Sequence, residues 1–403
     1  MVAIMSMRWS TWVVRSAVAM VALGAAVACA SDPAIPPPPQ QDPPKDPPPT
    51  QKEDDAAPPP WCADAQGIYA AKPVPGNVLF VMDRSGSMQI KLTNGDTRWV
   101  ATKTGLFNLL GTLPSTTRVG AMMFPQGDAP ITCCKIDPVL NDVKCACATG
   151  QLPDTTARCK SSTYQAPIPV ADLDSQQISD IKSYIASSDK EFYWGTPLAP
   201  ALKAAVDQQR ASKMTGTKSI ILFTDGIPTS CDTTADPNAN ELSRIVDAAA
   251  AGSKDGIRTF VMGVIDGTKG ARATTLSPVA KAGGTARKAG CETDNSCFYA
   301  LNSNTYAQDI KAAFDDISLK AFDCIFDLPP VQGNATADLS KINVQIDDGS
   351  GAVQVSLDTT HADGWDFTPD QTHLQLHGPT CEKVKEKAST KVEIVVGCKT
   401  QGK

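Results

Sequence analysis

The segment Asp83-Arg84-Ser85-Gly86-Ser87-Met88 sets one carboxylate and two hydroxyls on alternate residues. That is oxygen-donor chemistry suited to a hard cation, because Mg²⁺ prefers six oxygens in a near-octahedral array, keeps several waters and is satisfied by hydroxyls and a few carboxylates. Gly86 lets such a loop fold so that both hydroxyls point inward. The same residues also suit an ordinary turn, since Asp and Ser hydrogen-bond nearby backbone. Two further pieces recur downstream: Gly195-Thr196-Pro197-Leu198 and Thr224-Asp225-Gly226. Each again has a plain reading, Thr196 as a helix N-cap ahead of Pro197 at the first helical position, and Asp225-Gly226 as a turn.

What must position these pieces is legible in the hydrophobic pattern. Short apolar runs at 78–82, 119–124, 220–223 and 259–264 read as buried strands. Stretches around 99–110, 175–186, 198–209, 241–251 and 306–317 carry apolar residues at three and four spacing and read as helices. This alternation predicts a doubly wound, mostly parallel α/β sheet with helices on both faces. The first strand runs straight into Asp83, a helix opens after Thr196, and another buried strand ends at Asp225. In open α/β sheets, ligands bind at the carboxyl ends of the strands. Asp83 is expected in a solvent-reachable loop just past its strand.

The three segments in this order resemble the von Willebrand factor A family and its metal-ion-dependent adhesion site, over about 76–317 apart from a cysteine-rich insertion. The resemblance implies that Ser85, Ser87 and Thr196 coordinate Mg²⁺ or Mn²⁺ directly, with Asp83 and Asp225 acting mainly through bound water. It further implies a protein partner that offers a carboxylate to the open metal position. This is adhesion-type binding.

The intervening segment at about 125–169 holds Cys133, Cys134, Cys145, Cys147 and Cys159 with little periodicity, and it reads as a disulfide-stapled insertion whose connectivity stays open. Four close thiolates also suit zinc, although an exported chain favours oxidation. Beyond residue 322 the texture changes to period-two alternation at 342–346, 353–357 and 392–396, bounded by Asp-Gly and Gly-Pro turns. That predicts a small β domain over 323–403, stapled by Cys324, Cys381 and Cys398. The local bridges expected from spacing are Cys291 to Cys297 and Cys381 to Cys398. Asp347-Asp348-Gly349 reads as a hairpin turn and not a calcium loop, for it lacks the later ligands.

An enzyme is not expected. All three histidines, His361, His373 and His377, lie in the C-terminal β region, and neither a His-Glu-x-x-His nor a Gly-x-Ser-x-Gly motif occurs. His373 and His377 fall on one face of a predicted strand, a possible metal pair that lacks a third ligand. A net charge of −6 and a sequence without a basic cluster exclude nucleic-acid binding.

The N-terminal region carries Arg8 and Arg15, then an uncharged apolar run over 16–28, too short for a membrane span and suited to an export signal at 1–28. The run ends in Ala26-Val27-Ala28-Cys29, which resembles a lipobox; ordinary signal-peptidase cleavage after small residues is the alternative. Thirteen cysteines leave an even twelve once Cys29 is lipidated, which favours a lipoprotein of the bacterial cell envelope, held at the outer membrane. Residues 29–61 then form a lipidated cysteine and a proline-rich spacer, with thirteen prolines between Ala30 and Pro60. The α/β domain is expected to occupy 62–322. Without the lipid, the expectation is a secreted or periplasmic protein. A structural envelope protein whose metal only stabilises loops, or a metal-dependent hydrolase, are the alternatives in function.

Overall fold

A computed structural model of the chain describes residues 57–113, 116–127, 130–148, 156–189, 191, 193–226, 228, 231, 237–264, 271–321, 324–329, 338–369, 371–386 and 389–402. The expected signal, Cys29 and nearly all of the proline-rich spacer lie outside the described residues. In chain order the elements are β1 (Gly67–Ala70), β2 (Gly76–Asp83), α1 (Arg98–Leu110), β3 (Thr117–Phe124), β4 (Cys134–Asp137) and β5 (Asp142–Cys145). There follow β6 (Ile168–Asp172), α2 (Ser175–Ala186), α3 (Leu198–Ala211), β7 (Thr217–Thr224), α4 (Pro237–Lys254), β8 (Ile257–Gly263), α5 (Ala271–Ala282) and β9 (Tyr299–Ala300). The C-terminal part contributes α6 (Tyr306–Ala321), β10 (Ile325–Asp327), β11 (Ile342–Asp347), β12 (Ala352–Val355), β13 (Gly364–Phe367), β14 (His373–His377), α7 (Gly378–Glu386) and β15 (Lys391–Val396).

Every residue of β2 and β3 is buried, the mark of strands covered on both faces. Alternate side chains divide between two cores. Val78, Phe80 and Met82 pack with Trp99 and Leu106 of α1, Ile181 of α2 and Phe314 of α6. Leu79 and Val81 pack on the other face with Leu202 of α3, Ile245 of α4 and Leu276 of α5. The six-stranded sheet has the order β6-β3-β2-β7-β8-β9, parallel throughout except for β6, which pairs antiparallel with β3. The doubly wound, mostly parallel sheet expected from the sequence is therefore present, with an antiparallel edge. β2 hands the chain to β3 on one side, whereas its other neighbour β7 hands it outward to β8. The topological switch point falls between β2 and β7, the place at which open α/β sheets bind ligands.

The C-terminal part forms two antiparallel sheets, β1-β15-β11-β12 and β10-β14-β13. Ile342, Val344 and Ile394 from one meet Trp365, Leu374 and Leu376 from the other in one buried cluster. One strand comes from far upstream: β1 pairs with β15, Gly67 opposite Val396, and Cys62 is bridged to Cys398. The stretch from 62 to 70, assigned by sequence to the α/β domain, thus belongs to the β module. Four residues joined to a distant partner carry no periodicity of their own by which to be assigned. The hairpin turn at Asp347-Asp348-Gly349 is present, with the Asp347 carboxylate accepting from the amides of Gly349 and Gly351 at 2.8 and 3.1 Å.

All twelve cysteines after Cys29 are paired. Cys291 is bonded to Cys297, but the expected Cys381–Cys398 bridge is replaced by Cys324–Cys381 and Cys62–Cys398. Cys381 lies on α7, against the cluster that contains Cys324. Cys398 follows β15 on the edge that β1 covers, and the antiparallel register brings the chain before Gly67 back to it. In the insertion, Cys133–Cys147 and Cys134–Cys145 staple the β4–β5 hairpin, and Cys159 reaches Cys231. The thiols that a zinc cluster would need are spent in these bridges.

Candidate metal centre

The switch point gathers the residues singled out by sequence. β2 and β7 run parallel with Met82 opposite Phe223, so Asp83 and Thr224 come next to each other at the carboxyl ends of adjacent strands. The Thr224 hydroxyl donates to Asp83 Oδ2 at 2.6 Å, and the Ser85 amide donates to Asp83 Oδ1 at 2.8 Å. The Ser85 and Ser87 hydroxyl oxygens are 3.1 Å apart, and the Ser87 hydroxyl donates to Asp225 Oδ1 at 2.9 Å. A continuous chain of polar contacts thus runs Thr224, Asp83, Ser85, Ser87, Asp225. Ser87 sits in a single 3-10 turn, Gly86–Gln89, that folds straight back after the strand.

Asp83 departs from expectation. It is the last residue of β2 and has no solvent exposure, where the sequence reading put it in a solvent-reachable loop. The strand runs one residue further than its apolar run, because Asp83 continues the ladder with β3 opposite Phe124. Burial pushes its carboxyl up to about 7, and the charge of Asp225 adds to the rise, against the hydrogen bonds from Thr224 and Ser85 that pull it down. Two carboxylates this close call for a positive charge.

One cation on the chain already answers in part. The Arg98 guanidinium, at the start of α1, lies 2.6 Å from Asp225 Oδ2. Nothing in the sequence marked Arg98 beyond its place at a helix start, since its contact spans 127 residues. Arg84, inside the motif, points elsewhere: it covers the Tyr193 ring at 3.8 Å and donates to the Pro125 carbonyl and the Ser188 hydroxyl.

Thr196 arrives on a neighbouring segment. Ser85 forms a β-bridge with Tyr193, and the Gly86 amide donates to the Tyr193 carbonyl at 2.9 Å. Three residues on, after Gly195 at φ +77°, Thr196 is buried. Helix α3 takes Pro197 as its N-cap and Leu198 as its first residue, so Thr196 lies outside the helix and the N-cap reading does not hold. The hydrogen-bond chain joins Asp83, Ser85, Ser87 and Asp225, while Thr196 reaches the same end of the sheet through the Tyr193 pairing.

The donor set fits a hard divalent ion. Adjacent oxygens in an octahedral shell of about 2.1 Å radius stand about 3.0 Å apart, which matches the Ser85–Ser87 separation of 3.1 Å. The surrounding carboxylates supply negative charge without a thiol or imidazole. His373 and His377 lie in the C-terminal module and are not brought together as a metal pair. Four residues along a strand separate His373 from His377 by about 13 Å. His373 Nε2 is 3.6 Å from Asp327, and the His377 ring stacks on His361 with centroids 4.3 Å apart.

The chain matches no protein-family profile and no curated protein. Solved structures with partial likeness include the pilus adhesin SpaC from Lactobacillus rhamnosus GG, at 14% identity and TM-score 0.41 over 82% of this chain and 41% of that one. The conserved hypothetical protein BatB from Bacteroides thetaiotaomicron gives 17% identity and TM-score 0.34 over 60% of this chain and 98% of that one. The manganese-loaded TRAP protein of Plasmodium vivax gives 16% identity and TM-score 0.35 over 61% and 75%. The chain thus spans less than half the length of the pilus adhesin, and likeness at this level says nothing of ligand or partner.

Proposed function

We propose that this protein is an adhesion-type binding module of the bacterial cell envelope, in which a divalent metal at the β2–β7 switch point captures a carboxylate of a protein partner. Ser85, Ser87 and Thr196 hold Mg²⁺ or Mn²⁺ directly, and Asp83 and Asp225 hold it through water. The bound ion supplies an electrophilic position for an acidic side chain. No covalent chemistry is involved, and the protein is not an enzyme. Lipidation at Cys29 tethers it to the outer membrane, with the proline-rich tract as spacer; among the described residues no helix is long and apolar enough to cross a membrane. The observation that carries the reading is the pair of hydroxyls 3.1 Å apart, bracketed by two buried carboxylates at the strand ends.

The Arg98–Asp225 ion pair favours a second reading, a structural protein whose loops are held with the metal as a mere stabiliser. Mn²⁺ separates the two. Under the adhesion reading, titration monitored by electron paramagnetic resonance shows one bound ion, and added acetate, standing in for the partner's carboxylate, changes the bound-ion spectrum. Binding without any response to acetate favours the structural reading. Absence of binding at millimolar Mn²⁺ refutes both metal readings.

A further inference from the structure

Among the described residues, the approach to α3 and the residues that follow β7 share no strand pairing with each other. The cysteine-rich insertion touches both through adjacent residues. Arg158 is 1% exposed, and its Nη1 donates to the carbonyl of Trp194, two residues before Thr196. Its own carbonyl accepts from the hydroxyl of Tyr164 at 2.6 Å, and the Tyr164 ring is anchored in the core beneath α3. The next residue, Cys159, is bonded to Cys231, six residues past Asp225. From there the contacts return. The Cys231 amide donates to Glu241 Oε2 at 3.4 Å, and Glu241 Oε1 accepts from the Ala199 amide in the first turn of α3 at 3.2 Å.

We infer that Arg158 and Cys159 are positioning residues for the metal centre, closing a ring through Trp194, Cys231, Glu241 and Ala199 that holds the Thr196 segment in place. The inference rests on the metal-binding reading above. Its physical ground is that a buried guanidinium carries a desolvation cost, so a site that uses one beneath a loop carbonyl holds that loop by direction as well as by packing. Groups that orient ligands from behind typically change metal affinity by about ten- to a hundredfold when lost.

The test uses the full chain as Arg158→Met, Arg158→Lys and the double variant Cys159→Ala/Cys231→Ala, each measured for amide hydrogen exchange without metal and for Mn²⁺ affinity. Arg158→Met and the double variant are expected to speed exchange over residues 194–199 about tenfold, leaving β2 and β3 unchanged, and to weaken Mn²⁺ binding about tenfold. Arg158→Lys keeps a donor for the Trp194 carbonyl and is expected to restore most of the affinity, which a purely packing role would not produce. If Arg158→Met does not fold, the double variant, at a half-buried bridge, decides the matter. A wild type that takes up no Mn²⁺ overturns the metal reading and the positioning role with it. A wild type that binds, alongside variants that bind equally well, overturns the positioning role alone.

Discussion

Asp83→Asn isolates the charge at the switch point from its hydrogen bonds. Asparagine keeps the shape and its Oδ1 accepts from the Ser85 amide, while its Nδ2 faces a Thr224 hydroxyl that already accepts from the Gly226 amide and must give up its own donation to residue 83. In the metal-free protein the folded carboxyl titrates at about 7 against an ordinary value of 3.8. Between those values the unfolded chain ionises while the folded one keeps its proton. Wild-type stability is therefore unaffected by this group below about pH 4, declines as pH rises, and has lost the whole increment once pH exceeds about 7. A displacement of about three pH units corresponds to about 4 kcal/mol. Asp83→Asn abolishes this slope, so the metal-free variant is expected to melt above wild type near pH 8 and level with it near pH 4. With each kcal/mol worth about 1–2 °C in a chain of this size, the gap is on the order of 5 °C. Excess Mg²⁺ narrows the gap near pH 8, stabilising wild type by about 2.7 kcal/mol at a hundred times Kd and the variant not at all, and closes it at about a thousand times Kd. Calorimetric melting at both pH values, with chelator and with Mg²⁺, measures all four terms. A metal-free gap that is the same at both pH values, or equal stabilisation of both proteins by Mg²⁺, refutes the reasoning.

Ser85→Ala, Ser87→Ala and Thr196→Ala each remove one hydroxyl ligand and are expected to weaken Mn²⁺ binding by about tenfold or more with unchanged circular dichroism, as titration calorimetry would show. His373→Ala should leave Mn²⁺ affinity unchanged in the same assay, because its imidazole faces Asp327 in the β module. Cys62→Ser/Cys398→Ser should cost about 2–5 kcal/mol, seen as a lower denaturant midpoint and faster exchange in β1 and β15.

The α/β core was readable because its strands are buried on both faces and its helices on one, so each leaves its own period in the sequence. Val78 to Met82 had one plausible assignment, as did the helix that buries Trp99 and Leu106. Elements that escaped are those whose stability comes from elsewhere. β6 carries Pro169 and lies exposed at an edge, where a missing donor is tolerated. β4 and β5 are held by two disulfides more than by apolar alternation. The site was legible where donors lie in one loop, as Asp83, Ser85 and Ser87 do. Arg98, Thr224's bond to Asp83, Arg158 and Glu241 were not, because each acts on a partner brought near only by the sheet or by a bridge.

Because β1 and β15 are neighbours, the β module is threaded through the rest of the chain, with its first strand made long before its last. Everything between, the whole α/β sheet included, emerges while β1 has no partner. The α/β sheet is thus free to assemble first from local β-helix-β units, and the sandwich must wait for a contact spanning 336 residues at Cys62–Cys398. Its closure is then a late checkpoint: an oxidised Cys62–Cys398 pair reports that the chain has been translated and folded through to that residue. A chain cut short of Cys398 would keep an unpaired Cys62 and an uncovered β1 edge.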